Sequence, residues 1–168
     1  MPGAASPIRE AAALVATLLE QKLTLATAES LTAGLVSATV GQIPGASAVL
    51  RGGATTYATD SKAAVLGVEA DLLREHGPVH PEVAAQMARG AARLFAADVA
   101  VATTGVAGPG PHGGHPAGSG YIAIHFGNAR PDETIVEPFT VAGDRNEVRE
   151  RVTALILRRT RSLLCLPR

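Results

Sequence analysis

Apolar residues follow two different spacings along this chain of 168 residues. Positions three and four residues apart predict amphipathic helices, and short runs of β-branched and small apolar residues predict strands. The predicted helices span residues 8–21, 60–66, 71–76, 81–95 and 144–164, with one more that begins within 29–34 and ends before 41–45. The predicted strands span residues 23–28, 49–57, 98–104, 121–126 and 134–141, the last two joined as a hairpin across 127–132.

The alternation of helices with strands predicts the fold class. Residues 98–104 form a small apolar run without polar alternation, which is typical of a central strand buried on both faces by helices. We therefore expect a three-layer α/β/α sandwich with a mostly parallel, mixed sheet of about five strands, one of them antiparallel. The length suits a single domain over residues 1–168, with its core at about 8–165.

Polar residues before the apolar segments predict several helix starts. Ser30 or Thr32 is the expected N-cap of the second helix, and Asp60 is the expected cap of the third. Pro81 suits the first turn of a helix, so His80 is the expected N-cap there.

Composition narrows the classes of function. Fifteen basic and fifteen acidic residues cancel, so the chain lacks the charge of a typical nucleic-acid binder, and we expect no nucleic-acid partner. No apolar stretch approaches the roughly 20 residues that span a bilayer, and the N-terminal residues do not resemble a secretory signal. The single cysteine, Cys165, cannot form an internal disulfide. We expect a soluble cytoplasmic protein without a membrane partner.

Three loops follow predicted strands and carry hydroxyls or glycines. They span residues 29–34, 57–62 and 103–110. In open α/β sheets, ligands bind beyond the carboxyl ends of the strands, where the backbone amides of following segments point outward. Three such loops at one edge predict a ligand site, although each loop alone is more often a simple helix start or turn.

A serine, a tyrosine and a lysine lie close together in the sequence around the second predicted strand. Lys62 follows Ser47 by fifteen positions, and Tyr57 lies between them. A lysine whose pKa is lowered by burial can act as a general base for a serine nucleophile. The alternative is a turn serine and a surface lysine, both of which are common.

Seven short motifs, taken in order, resemble one protein family. They are residues 28–34 (AESLTAG), 44–47 (PGAS), 53–57 (GATTY), 66–68 (LGV), 76–79 (HGPV), 104–110 (TGVAGPG) and 143–145 (GDR), together with Lys62. Their order and spacing are similar to those of the C-terminal domain of CinA proteins and of the related nicotinamide mononucleotide deamidases. The resemblance spans roughly residues 8–160.

The resemblance implies an amidohydrolase of pyridine nucleotide recycling. The reaction would convert nicotinamide mononucleotide to nicotinate mononucleotide and ammonia without a metal or an organic cofactor. It implies Ser47 as the nucleophile and Lys62 as the base. Tyr57, which lies between them in the sequence, is expected to relay or orient the proton. The implied substrate-binding residues are Glu29, Ser30, Thr32, Gly34, Thr104, Gly105, Gly108 and Arg145.

Structural explanations remain open for several of these residues. Glu29 is equally suited to accepting backbone amides at a helix start, and Ser30 and Thr32 to capping that helix. Arg145 is followed by further charged residues and also suits a solvated helix face. His112 and His115 lie in one glycine-rich loop, but without neighbouring acidic or cysteine ligands they do not predict a metal site.

The chain also departs from the family pattern. Ala33 stands where the family usually has a glycine, His80 replaces a common serine, and residues 111–116 lack the usual acidic and lysine residues. These changes leave a non-catalytic nucleotide-binding or regulatory module as the alternative function. A purely structural or oligomerisation domain would leave the three loops unexplained. We also expect self-association, as a dimer or a larger oligomer, through an apolar face of the first or last helix.

Overall fold

The computed structural model describes residues 6–128 and 133–166. These residues form a central sheet with helices on both faces. In chain order the elements are α1 (Pro7–Gln21), β1 (Leu25–Glu29), α2 (Leu35–Gly41), a short 3-10 helix (Ala46–Ala48), β2 (Leu50–Thr55), α3 (Thr59–Leu66), α4 (Ala70–His76), α5 (Pro81–Phe95), β3 (Val99–Val106), β4 (Ser119–Phe126), β5 (Glu133–Thr140) and α6 (Arg145–Leu164).

The five strands lie in the order β2-β1-β3-β4-β5. Strand β1 pairs in parallel with β2 and β3, whereas β4 pairs antiparallel with both β3 and β5. Strand β4 alone therefore runs against the other four. The expectation of a mostly parallel sheet with one antiparallel member describes the strand directions, but the pairings are two parallel and two antiparallel.

Alternating residues of the central strands build two different cores. Leu25, Val99 and Val101 pack with residues of α1, α2 and α6 on one face of the sheet. Ala26 and Ala100, one position along, pack with residues of α3, α4 and α5 on the other face. Both sets are fully or almost fully buried, as expected for strands between two helix layers. The predicted α/β/α sandwich is confirmed.

The predicted N-cap of the second helix is wrong. Helix α2 begins only at Leu35, after Gly34 in the left-handed conformation, so neither Ser30 nor Thr32 is its N-cap. Instead, the buried Glu29 carboxylate accepts hydrogen bonds from the backbone amides of Val36 (3.0 Å) and Ser37 (2.8 Å). A negative charge there also interacts favourably with the positive end of the helix dipole. This is the amide-accepting function that the sequence left open for Glu29.

Asp60 lies in the first turn of α3, and Ala58 occupies the N-cap position, so the expected cap by Asp60 is also wrong. The His80 prediction is confirmed, because its Nδ1 accepts a hydrogen bond from the Glu82 amide (3.2 Å). Asp144 and Glu147 form a capping box that fixes the start of α6.

The chain between β4 and β5 includes residues 129–132, which lie outside the described residues, so the middle of the predicted hairpin connection cannot be compared. The two strands themselves pair as the hairpin requires. Among the described residues, no helix combines the length and the apolar content that crossing a membrane requires.

Candidate active site

The carboxyl ends of β1, β2 and β3 meet at one edge of the sheet, because these three strands are parallel. The loops that follow them surround a cavity of about 400 Å³, within the usual range for small-molecule sites. The α4–α5 connection and the first residue of α6 complete its wall. Six of the predicted site residues line it: Ser30, Tyr57, Thr104, Gly105, Gly108 and Arg145.

Lys62 lies directly behind this cavity. Its side chain extends from α3 and is fully buried. The Nζ donates hydrogen bonds to the carbonyl oxygens of Thr56 (2.7 Å) and Tyr57 (3.3 Å) and to the Ser30 hydroxyl (3.1 Å). These three acceptors are neutral, and no carboxylate of the described residues lies within hydrogen-bond distance of the ammonium.

This environment favours the neutral form of the lysine. Burial lowers the pKa of Lys62 from its ordinary value of 10.5 to about 8, because a buried ammonium loses its hydration. In the neutral amine, the two carbonyl groups can accept both remaining hydrogens. The nitrogen lone pair then faces the third partner, Ser30, and can accept the proton of its hydroxyl.

Ser47 lies far from this pair. It belongs to the 3-10 helix that precedes β2, whereas Lys62 follows the end of that strand. The six residues of β2 separate the two edges of the sheet by roughly 20 Å. The Ser47 side chain is exposed, and Ser47 does not line the cavity. The predicted pairing of Ser47 with Lys62 is therefore wrong, and Ser30 takes that position.

Glu29, Thr32 and Gly34 do not line the cavity either. Besides the Glu29 contacts with α2, the Thr32 hydroxyl shares a buried hydrogen bond with that of Thr103 (2.8 Å). Gly34 adopts φ +91°, which a residue with a side chain rarely adopts. From α6, Arg149 Nη2 donates to the Thr32 carbonyl (3.0 Å). These contacts hold the turn that presents Ser30.

Arg145 connects two walls of the cavity. Its Nη1 donates to the Gly108 carbonyl (2.7 Å), and its Nη2 donates to the Tyr57 hydroxyl. Thr104 makes a similar link, because its buried hydroxyl donates to the Pro78 carbonyl (2.6 Å) and places the α4–α5 connection in the wall. Tyr57 thus contacts Lys62 through its carbonyl and Arg145 through its hydroxyl.

Several backbone amides at the cavity have no acceptor. Within the described chain, the N–H groups of Leu31, Ala107 and Gly108 donate no hydrogen bond to any protein atom. All three residues line the cavity. Leu31 directly follows Ser30, and the other two lie on the loop after β3. Free amides beside a hydroxyl can stabilise an oxyanion that forms on a carbonyl group.

Three groups that contribute to the site were not predicted from the sequence as site residues. The Thr56 carbonyl lies inside the motif of residues 53–57, but no side-chain pattern marks a carbonyl group. Arg149 follows Arg145 by four positions, and this helical spacing could have placed both on one face. His112 lines the cavity, and no pattern in the sequence marks it as a binding residue. Within residues 6–128 and 133–166, no three His, Cys, Asp or Glu side chains cluster as metal ligands would.

Comparisons with known proteins agree on one family. The CinA C-terminal domain family matches residues 8–164. A CinA-like protein of Frankia casuarinae is 41% identical over 147 residues, which are 88% of this chain and 33% of that protein. A putative competence-damage inducible protein of Halalkalibacterium halodurans is 44% identical over 138 residues, 82% of this chain and 32% of that protein. The chain thus spans about a third of the length of these relatives.

Solved structures show the same fold. The competence damage-inducible protein A (ComA) of Klebsiella pneumoniae superposes with a TM-score of 0.91 at 28% identity, covering 97% of this chain and 99% of that one. The competence/damage inducible protein CihA of Agrobacterium tumefaciens superposes with a TM-score of 0.88 at 32% identity and 97% coverage of both chains.

Proposed function

The chain belongs to the CinA C-terminal domain family, and on that premise we propose that it hydrolyses the carboxamide of nicotinamide mononucleotide to give nicotinate mononucleotide and ammonia. One observation carries this proposal. A buried lysine with a lowered pKa lies within hydrogen-bond distance of a serine hydroxyl that opens into a cavity. Buried cations without a carboxylate partner are rare in proteins, and they occur more often at functional sites than in purely structural positions.

The first step is attack on the amide by Ser30. The lone pair of neutral Lys62 takes the proton of the Ser30 hydroxyl, and the Ser30 Oγ forms a bond to the carboxamide carbon. The carbonyl oxygen becomes an oxyanion. The N–H groups of Leu31, Ala107 and Gly108, which donate to no described protein atom, are among the donors available to stabilise it.

The second step releases ammonia. The protonated Lys62 gives its proton to the departing amide nitrogen, the C–N bond breaks, and an ester of Ser30 remains. Neutral Lys62 then takes a proton from a water molecule, whose oxygen attacks the ester carbon. Cleavage of the ester returns the proton to Ser30 and releases the product as its carboxylic acid. The sum is one amide and one water converted to one acid and one ammonia.

Arg145 suits the phosphate of the substrate. The guanidinium uses one N–H for Gly108 and one for Tyr57, and an arginine carries five such donors. Its remaining donors are available for an anion, and guanidinium groups bind phosphate oxygens well. The Tyr57 hydroxyl, which accepts from Arg145, orients this guanidinium in the proposal, while the Tyr57 carbonyl orients Lys62.

The proposal is tested by measuring ammonia and nicotinate mononucleotide released from nicotinamide mononucleotide by the wild type, Lys62→Met and Lys22→Met. Lys22 is exposed and is the only other lysine of the chain, so it is a matched control. We expect equal amounts of both products from the wild type and Lys22→Met, with or without a chelator. Lys62→Met should lose about a thousandfold or more in rate.

The absence of any product from folded wild-type protein would contradict the proposal. In that case, binding of the mononucleotide measured by calorimetry would favour the non-catalytic nucleotide-binding module. A cytoplasmic location, self-association and independence of metals and cofactors remain predictions from the sequence.

A further inference from the structure

A short hairpin at the mouth of the cavity holds His112 in place. The amides of His112 and His115 each donate to the carbonyl of the other residue, both at 3.0 Å. Between them, Gly113 and Gly114 adopt φ +57° and +81°. Two successive residues with positive φ make the tight turn that closes a two-residue hairpin. The backbone of His112 is therefore fixed relative to the loop that follows β3.

The His112 side chain is unengaged within the described chain. It is exposed, lines the cavity, and its imidazole makes no hydrogen bond or ion pair with a described residue. Arg145 lines the same cavity and is also exposed. Among the described residues that line the cavity, none is an aspartate or a glutamate. This part of the chain therefore offers an anion two basic side chains, His112 and Arg145, and no carboxylate that would repel it.

The cavity also has a direction. Ser30 is buried at its inner end against Lys62, whereas His112 and Arg145 are exposed at its outer end. A substrate whose reacting carboxamide contacts Ser30 extends toward the exposed residues that line the cavity, and these two are the basic ones among them. The group of the mononucleotide that lies farthest from the carboxamide is its phosphate monoester.

We infer that His112 is a specificity-determining residue that, with Arg145, binds the phosphate monoester of the substrate and favours it over the nucleoside that lacks the phosphate. This inference rests on the proposed function for the identity of the substrate. It explains a glycine-tipped hairpin that presents a histidine to the cavity. An imidazole can donate to a phosphate oxygen, and in its protonated form it adds charge to that contact.

The test compares His112→Ala with His115→Ala. His115 lies opposite His112 in the same hairpin but does not line the cavity, so it controls for changes in the loop itself. Calorimetry measures binding of ribose 5-phosphate, and steady-state kinetics measure kcat/KM for nicotinamide mononucleotide and nicotinamide riboside. We expect His112→Ala to weaken ribose 5-phosphate binding about tenfold, the usual effect of losing a hydrogen bond to a charged group.

The values of kcat/KM should show a loss for the substrate with the phosphate and none for the substrate without it. His112→Ala should lower kcat/KM about tenfold for the mononucleotide, mainly through KM, and leave the riboside unchanged, while His115→Ala should match the wild type. The inference is overturned if His112→Ala binds ribose 5-phosphate as the wild type does, or if the wild type does not bind it. Should the mononucleotide not be hydrolysed at all, the proposed function fails, and the binding measurement alone still decides the part played by His112.

Discussion

Replacing Lys62 by methionine should change how the stability of the protein depends on pH. The fall in the Lys62 pKa from 10.5 to about 8 costs the folded state about 3 kcal/mol, since each pKa unit corresponds to about 1.4 kcal/mol. Below pH 8 the lysine is charged in both states, and the whole cost is present. Between about 8 and 10.5 only the unfolded chain binds the proton, so the free energy of unfolding rises with pH. Lys62→Met has no such dependence.

Urea denaturation at a series of pH values measures this effect. The free energy of unfolding of the wild type minus that of Lys62→Met should increase by about 3 kcal/mol between pH 7 and pH 10.5. The hydrogen bonds lost with Lys62 add an offset that changes little with pH, so the slope isolates the buried charge. Lys22→Met should follow the wild type in parallel, because Lys22 is exposed. A constant difference between wild type and Lys62→Met across this range would show that folding does not lower the Lys62 pKa.

Three further predictions follow from the same contacts. With nicotinamide mononucleotide, kcat/KM should rise about tenfold per pH unit below about pH 8 and then level off, because only neutral Lys62 accepts the serine proton; a flat pH–rate profile would contradict this. Glu29→Gln should lower the free energy of unfolding by about 1–2 kcal/mol, since the charged acceptor at the start of α2 is lost, and wild-type stability in urea would count against it. Arg149→Met should lower kcat several-fold through a looser Ser30 turn, with Arg149→Lys partly restoring it, whereas unchanged steady-state kinetics would exclude this positioning.

The regular elements could be predicted where apolar spacing alone determines them. Helix α5 has the predicted bounds, Pro81–Phe95, because its apolar stripe and its first-turn proline are both local signals. The unbroken apolar run predicts strand β3. The observed strand begins one residue later than predicted and ends two residues later, at Val106, where it enters the site. Gly105 interrupts the apolar run at that end, so the spacing of apolar residues does not predict that the strand continues.

The start of α2 shows why local rules failed at the site. Ser30 and Thr32 are good capping residues, but their hydroxyls bond to Lys62 and Thr103, which lie 32 and 71 positions away. Such partners become neighbours only when β1, β2 and β3 pair in the sheet. A short stretch of sequence therefore cannot predict them. The segment therefore forms a separate turn, and the carboxylate of Glu29 satisfies the first amides of the helix instead.

The choice between Ser30 and Ser47 could have been made from the sequence. Ligands bind beyond the carboxyl ends of parallel strands, and this rule favours Ser30, which directly follows β1, over Ser47, which precedes β2. Proximity to Lys62 in the sequence favoured Ser47. The lysine itself was predicted, but its burial and its two carbonyl partners required the structure.

In the proposed mechanism Ser30, activated by Lys62, attacks the amide. This is tested by the rate of ammonia release from nicotinamide mononucleotide by wild type, Ser30→Ala and Ser47→Ala under identical conditions. We expect a loss of about a thousandfold or more for Ser30→Ala and a rate close to the wild type for Ser47→Ala. Activity that survives in Ser30→Ala, or that disappears in Ser47→Ala with its fold intact, would exclude Ser30 as the nucleophile.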